Sequence, residues 1–219
     1  MRIVIFANGV IGDLRGEVSA WVRPTDWIVA ADGGAQYVLE AGLVPHHVVG
    51  DVDSMTASTR DLLTRAGAIF HISPPAKDET DLELALMWAA GQTPEQIVVL
   101  GAFGGRPDQA LANLLLLALP TLEGRSVLFV TGSWEVTLVR AGEHLQLRGA
   151  VGDRVSLIPL GGSAYGVTTT GLAFPLDDET LSFGPARGVS NRFEVPAPVV
   201  SVREGMVWCF HELEDAHWR

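Results

Sequence analysis

Residues 48–54 read Val-Val-Gly-Asp-Val-Asp-Ser, which sets two carboxylates, Asp51 and Asp53, either side of one valine directly after an apolar run. Like charges this close repel unless a cation or a bound group lies between them, and in extended chain residues i and i+2 point to the same side. A hard divalent ion such as Mg2+ takes oxygen ligands and removes that repulsion. Other stretches carry related chemistry. Asp32-Gly33-Gly34 follows the run Trp-Ile-Val-Ala-Ala, residues 77–81 bring Lys77, Asp78 and Asp81, and residues 103–108 bring a Gly-Gly pair with Arg106 and Asp108. Carboxylates suit Mg2+, while glycine amides, Lys77 and Arg106 suit phosphate oxygens, an inventory for phosphoryl or nucleotidyl transfer. No GxxxxGK[ST] occurs and no GxGxxG follows the first strand, so the common nucleotide-binding fingerprints do not account for it. Taken singly, each stretch has a plainer reading. Asp32-Gly33-Gly34 is a turn, Thr80 to Glu83 matches a capping box, and Arg106 with Asp108 makes a surface ion pair worth about 0–1 kcal/mol.

The elements that must position these loops come from the alternation around them. Apolar, β-branched runs at 2–7, 27–31, 46–50, 68–72, 96–102 and 126–131 predict strands, and segments 35–42, 56–66, 80–90 and 108–119 have helical spacing. Strand and helix in turn read as an α/β domain with a mostly parallel sheet, its strands apolar throughout because helices cover both faces. The 108–119 helix is apolar nearly all round and is expected to be deeply buried. In such a sheet the strands' carboxyl ends share one edge, where ligands bind, so the loops above should meet in space. From about residue 136 the helical spacing ends, and short strand-like pieces separated by Gly and Pro predict a C-terminal all-β domain, a small antiparallel sandwich or barrel-like fold. The expected division is 1–140 for the α/β domain and 141–219 for the β domain.

Composition narrows the classes. The chain has 219 residues, 47% hydrophobic and 19% charged, with a formal net charge of −11. That is an ordinary folded protein without the basic footprint of a nucleic-acid binder. No apolar run reaches the roughly 20 residues of a membrane helix, so no membrane partner is expected. The N-terminus reads as a first strand and not as a signal peptide. A single cysteine, Cys209, excludes an intrachain disulfide and fits a cytoplasmic location. The histidines show no HxxxH or similar metal spacing, and no role is assigned to them.

The residues in these loops resemble the thiamin pyrophosphokinases. That family's pattern runs ADGGAN, GDFDS, Q/KDxTD opening a helix, and GxxGGRxDHxLAN. The chain has ADGGAQ at 31–36, GDVDS at 50–54, KDETD at 77–81 and GAFGGRPDQALAN at 101–113, in that order. The likeness continues with SLIPL at 156–160, TTTGLAFPL at 168–176 and GVSN at 188–191, so it covers nearly the whole chain. Gln36 and Val52 replace the usual Asn and Phe. Gln109 stands where His is common, and Phe174 where many members have Trp.

The resemblance implies transfer of an intact diphosphate from ATP to the hydroxyl of thiamin, with release of AMP. It assigns Mg2+ to Asp51, Asp53 and Asp81, and ATP contacts to Asp32, Gly33, Gly34, Lys77 and Arg106. The catalytic set is then Asp51, Asp53, Asp78, Asp81, Arg106 and Asp108, with the acceptor of the hydroxyl proton open between Asp53, Asp78 and Asp108. Thiamin falls to Asp108, Gln109, Asn113, Phe174, Ser190 and Asn191, in a homodimer whose pocket lies between the α/β domain of one chain and the β domain of the other. Without the motif match, Phe174 reads as β-domain core and Ser190-Asn191 as an ordinary turn. The acidic charge would favour approach of the thiamin cation or simply serve solubility. Two other readings stand beside this one: a Mg2+- and ATP-dependent (di)phosphotransferase for another hydroxylated small molecule, and a non-catalytic thiamin- or nucleotide-binding module.

Overall fold

The computed structural model describes residues 1–74 and 76–213. These form two compact units that divide between Gly132 and Ser133. The division precedes the expected position near 140, because the strand Trp134–Arg140 pairs along its whole length with the strand Glu204–Glu212 of the second unit.

In the first unit, strands β1 (Arg2–Phe6), β2 (Trp27–Ala31), β3 (His47–Gly50), β4 (Ile69–Ile72), β5 (Gln96–Leu100) and β6 (Val127–Thr131) alternate with helices. The helices are α1 (Leu14–Trp21), α2 (Gly34–Glu40), α3 (Ala57–Arg65), α4 (Asp81–Gly91) and α5 (Pro107–Leu116). The strands pair in parallel in the order β4-β3-β2-β1-β5-β6. β1 sits inside the sheet and buries both faces: Ile3, Val4, Ile5 and Phe6 have no exposed surface. This explains why its apolar residues do not alternate with polar ones. One face packs Val4, Phe6, Ile28, Ala30 and Val48 against Val38 of α2 and Leu63 of α3. α4 lies against β1, β2 and β3 and buries Ala85, Leu86 and Ala89 completely. Truncating Leu86 to Ala in such a core costs about 2–5 kcal/mol.

The structure corrects three expectations here. Helix α1 lies in a segment for which no element was predicted; it is short and carries Gly16, and Asp13 caps it by accepting from Gly16 N at 3.0 Å. Strand β4 is at the sheet edge, so Ile69 and Ile72 are exposed rather than covered. Helix α5 buries no residue, and Leu111 and Leu115 are 55% and 47% exposed. Apolar composition records that a helix face favours cover, not that its own unit supplies it.

In the second unit, β7 (Trp134–Arg140), β8 (His144–Gln146), β9 (Arg154–Thr170), β12 (Val199–Ser201) and β13 (Glu204–Glu212) pair antiparallel in the order β7-β13-β9-β12-β8. β10 (Glu179–Leu181) and β11 (Asn191–Arg192) add to β9. The two strand-like pieces read around residues 153–162 and 166–174 are joined: β9 runs unbroken for 17 residues. Gly161, with φ at +73°, lets the strand kink without ending, and a register shift against β13 accompanies it. Val155, Leu157, Val167, Leu181, Phe193 and Val207 are among the buried residues of this unit's core.

Candidate active site

Asp51 and Asp53 come together by a turn and not by the alternation of extended chain. β3 ends at Gly50, Asp53 N donates to Asp51 Oδ1 at 3.2 Å, and Val52 between them takes φ +56°. A β-branched residue in the left-handed region is strained by about 1–3 kcal/mol, and such strain collects at functional sites. Asp32, just past β2, also has positive φ, and its backbone N–H donates to Val49 O at 2.9 Å. That bond fixes the Asp32 loop against β3. Gly50 permits the closeness: a Cβ there would lie 2.8 Å from Asp81 Oδ1 and 3.0 Å from Asp32 Cβ. Asp81 opens α4, where Thr80 Oγ1 caps the helix by accepting from Glu83 N at 3.2 Å. The N-cap is therefore Thr80, which leaves the Asp81 side chain for another role.

One oxygen each of Asp32, Asp51 and Asp53 lie within 4.8 Å of one another. Asp32 is 6% exposed; its Oδ2 accepts from Ser54 Oγ, and its buried Oδ1 has no hydrogen-bond partner among the described residues. An ionised, buried, half-partnered carboxylate costs free energy. Burial pushes the Asp32 carboxyl above its ordinary value, the charges of Asp81 and Asp51 add to the rise, and the Ser54 hydrogen bond opposes it. Asp53 is raised by its hydrogen bond and charge repulsion with Asp51, whereas Asp51 is lowered, first by the Asp53 N–H and then with help from Lys77. A divalent cation on the three oxygens would relieve these repulsions together, and the all-oxygen donor set, from buried Asp32 to exposed Asp53, suits a hard ion. The resemblance assigns Mg2+ to Asp51, Asp53 and Asp81. One oxygen each of Asp32, Asp51 and Asp53 converge, and Asp81 lies beside them, tied to Lys77 at 2.5 Å.

β1 and β5 are neighbours whose chains continue to opposite sides of the sheet, so a crevice opens between their loops. The cleft there is lined by Asn8 and Gly9 after β1, by Gly104 after β5, and by Asp81, Gln109 and Asn113. Gln109 and Asn113 thus share a cleft with Asp81 as expected, and Asn113 Nδ2 donates to Ala102 O at 2.6 Å. A second cavity lies beside it, lined by Asn8, Gly33, Gln36, Ser54 and Thr56 among others. Gly33 and Gly34 lead into α2 at this point. Asn8 and Gly9 are site residues the sequence reading missed. The signal was available: the first strand of such a sheet is often interior, so its carboxyl-end loop reaches the crevice even without a glycine fingerprint.

Other assigned residues stand apart. Arg106 and Asp108 form a bidentate pair at 3.2 and 2.6 Å, both side chains 65% exposed, which is the plainer reading given above. Their pairing lowers the Asp108 carboxyl and raises the Arg106 guanidinium. Asp78 is exposed in the loop before α4 and has no hydrogen bond or ion pair among the described residues. In the second unit, Phe174 is 70% exposed and is not core. Asn191 holds its backbone on both sides: Phe174 N donates to Asn191 Oδ1 at 3.0 Å and Asn191 Nδ2 donates to Phe174 O at 2.7 Å. Ser190, with φ +65°, donates its N–H to Ser156 Oγ at 3.0 Å. Asn191 thereby fixes the backbone that carries an aromatic ring into solvent.

Carboxylates converging at the carboxyl edge of a parallel sheet, beside a glycine-lined crevice, define an α/β protein suited to a divalent cation and phosphate groups. Residues 19–128 match the family model described as thiamin pyrophosphokinase, catalytic domain, and residues 144–207 match the one described as thiamin pyrophosphokinase, vitamin B1 binding domain. The thiamine pyrophosphokinase of Bacillus subtilis (strain 168) is 31% identical over 192 residues, which cover 86% of this chain and 88% of that protein. Thiamine pyrophosphokinase 1 of Oryza sativa subsp. japonica is 26% identical over 210 residues, 82% of this chain and 76% of that protein. The crystal structure of a thiamin pyrophosphokinase from Geobacillus thermodenitrificans superposes with a TM-score of 0.83 at 27% identity, covering 99% of both chains. The chain belongs to the thiamin pyrophosphokinase family.

Proposed function

We propose that this enzyme transfers the diphosphate of ATP to the hydroxyl of thiamin, giving thiamin diphosphate and AMP. The observation that carries the reading is the convergence of one oxygen each of Asp32, Asp51 and Asp53, with Asp32 buried and its Oδ1 without a hydrogen-bond partner among the described residues. These three residues, with Asp81 beside them, would hold Mg2+, which when bound neutralises charge on the β- and γ-phosphates and on the departing AMP. Gly33 and Gly34 bring backbone amides and Lys77 an ammonium to the phosphate oxygens, and Arg106 adds a guanidinium once it exchanges Asp108 for phosphate. The thiamin hydroxyl oxygen attacks the β-phosphorus, the bond from that phosphorus to the bridging oxygen breaks, and AMP leaves with that oxygen. Of the three carboxylates open as proton acceptor, Asp53 alone belongs to the converging set, and it takes the hydroxyl proton. Gln109 and Asn113 orient thiamin from the cleft they share with Asp81, and Asp108, the residue before Gln109, turns to thiamin when Arg106 leaves it for phosphate.

We further propose a cytoplasmic homodimer, with residues 1–140 supplying the ATP and Mg2+ side and 141–219 the thiamin side. Phe174, Ser190 and Asn191 of one chain then complete the pocket of the other. Exposed Leu111 and Leu115 on α5 and the exposed Phe174 ring favour cover by a second copy. No helix among the described residues is long and apolar enough to cross a membrane. The test is incubation with ATP, Mg2+ and thiamin, with products separated by chromatography. Stoichiometric AMP and thiamin diphosphate are expected. ADP with thiamin monophosphate would overturn the choice of bond, and absence of any thiamin product would overturn the acceptor.

A further inference from the structure

Lys77 stands out once the charges of the site are paired off. Its ammonium lies 2.5 Å from Asp81 Oδ1 and 3.5 Å from Asp51 Oδ2, and only 11% of its side chain is exposed. Arg106, the other cation assigned to the site, is engaged with Asp108. Lys77 is thus held by Asp51 and Asp81, while Asp32 and Asp53 repel these carboxylates and have no ion pair of their own among the described residues. That ammonium and a divalent ion would draw on the same Asp51 carboxylate. Lys77 sits in the loop before α4, with a flexible stem and an ammonium that can donate in any of several directions.

We propose that Lys77 is a built-in counter-ion that makes the divalent metal and the triphosphate bind together. In the free protein its ammonium occupies Asp51 and Asp81 and weakens the hold of the carboxylates on a lone divalent ion. When a triphosphate arrives, the ammonium turns to the phosphate oxygens, and Asp51 and Asp81 are released to face the metal. The coupling is reciprocal: the triphosphate strengthens metal binding by the same factor as the metal strengthens triphosphate binding. This inference rests on the reading that the site takes a metal–triphosphate. It does not depend on thiamin being the acceptor.

The experiment uses Mn2+ as probe, with free Mn2+ read by electron paramagnetic resonance and no thiamin present. The full chain, Lys77→Met and Lys77→Arg are titrated with and without α,β-methylene ATP. Lys77→Gln is run alongside, because the family pattern carries Gln at this place and the polar side chain guards against a fold defect in the Met variant. Removing the ammonium is expected to tighten Mn2+ binding to nucleotide-free protein by about tenfold. It should also shrink the enhancement that the nucleotide analogue gives, while Lys77→Arg keeps weak lone-metal binding. Unchanged or weaker Mn2+ binding in both Lys77→Met and Lys77→Gln would overturn the proposal. So would an undiminished nucleotide enhancement in both. If the protein makes no thiamin diphosphate yet shows the expected Mn2+ pattern, the acceptor assignment fails and the counter-ion role stands.

Discussion

Two clusters of ionisable groups, one in each unit, treat their charges in opposite ways. In the second unit His211 is 1% exposed and lies between two carboxylates, with Nε2 3.0 Å from Asp153 Oδ2 and Nδ1 3.3 Å from Glu135 Oε2. Its ring stacks on Phe193 at 4.6 Å, and Asp153 also accepts from Ala150 N at 2.9 Å. In the first unit Asp32, Asp51, Asp53 and Asp81 crowd together while the Lys77 ammonium pairs with Asp51 and Asp81, Val52 is strained, and Asp32 Oδ1 has no hydrogen-bond partner among the described residues. The His211 group is complete within its own unit and contributes stability. The aspartate group carries more negative charge than Lys77 offsets, and a cation would complete it. A cluster of ionisable groups alone therefore does not mark an active site; one whose charge its own unit leaves uncompensated does.

The sharpest way to break this contrast is to neutralise one member of each cluster. Asp53→Asn should lower kcat/KM by about a hundred- to a thousand-fold, measured by AMP release, because Mg2+ loses a charged ligand and the thiamin hydroxyl loses its proton acceptor. His211→Ala should leave activity per folded molecule unchanged but cost about 3–5 kcal/mol in urea unfolding, since it strands two carboxylates. Equal activity losses in the two variants would dissolve the distinction.

The pH dependence of stability sharpens it further. Burial disfavours the His211 imidazolium, yet the hydrogen bonds and charges of Glu135 and Asp153 together outweigh burial and raise its pKa. A raised folded value means the contribution is full below the unfolded value of about 6.5 and fades as pH climbs through the folded one. Stability by urea unfolding should therefore fall with rising pH above about 6.5, and His211→Gln should flatten that limb. The smallest effect concerns the exposed ring. Phe174→Ala should change folding stability by less than about 0.5 kcal/mol and raise the KM for thiamin by about three- to tenfold, with kcat nearly unchanged.

Much of the first cluster was legible because carboxylate loops follow apolar strands, and a parallel sheet brings such loops to one edge. Asp32 was legible as a member of the site but not as a partner of Asp51 and Asp53. Its closeness depends on Gly50 having no side chain and on the Asp32 N–H reaching Val49 O, which spacing does not encode. Asn8 was legible only through topology, since its place follows from β1 being interior in the sheet and no motif marks it. Arg106 and Asp108 carry the right motif and still pair with each other in the free chain. The His211 group was invisible, since Glu135, Asp153 and His211 meet only through the pairing of β7, β13 and β9. The unbroken β9 and the exposed α5 were misread for one reason: residue type reports a preference, and the partners that satisfy it come from tertiary structure.

If the aspartate cluster is held under repulsion for the sake of a cation, losing one of its charges should stabilise the free protein and weaken its response to ligand. Thermal unfolding of the wild-type protein and Asp53→Asn, each with and without Mg2+ and ATP, tests this most directly. Asp53 has no ion-pair partner among the described residues, and its carboxyl is raised by Asp51, so removing its charge relieves strain. The account expects Asp53→Asn to be at least as stable as wild type in the absence of ligands and to lose most of the upward Tm shift given by Mg2+ and ATP. A variant less stable than wild type when free, with its Mg2+ and ATP shift intact, would contradict the account.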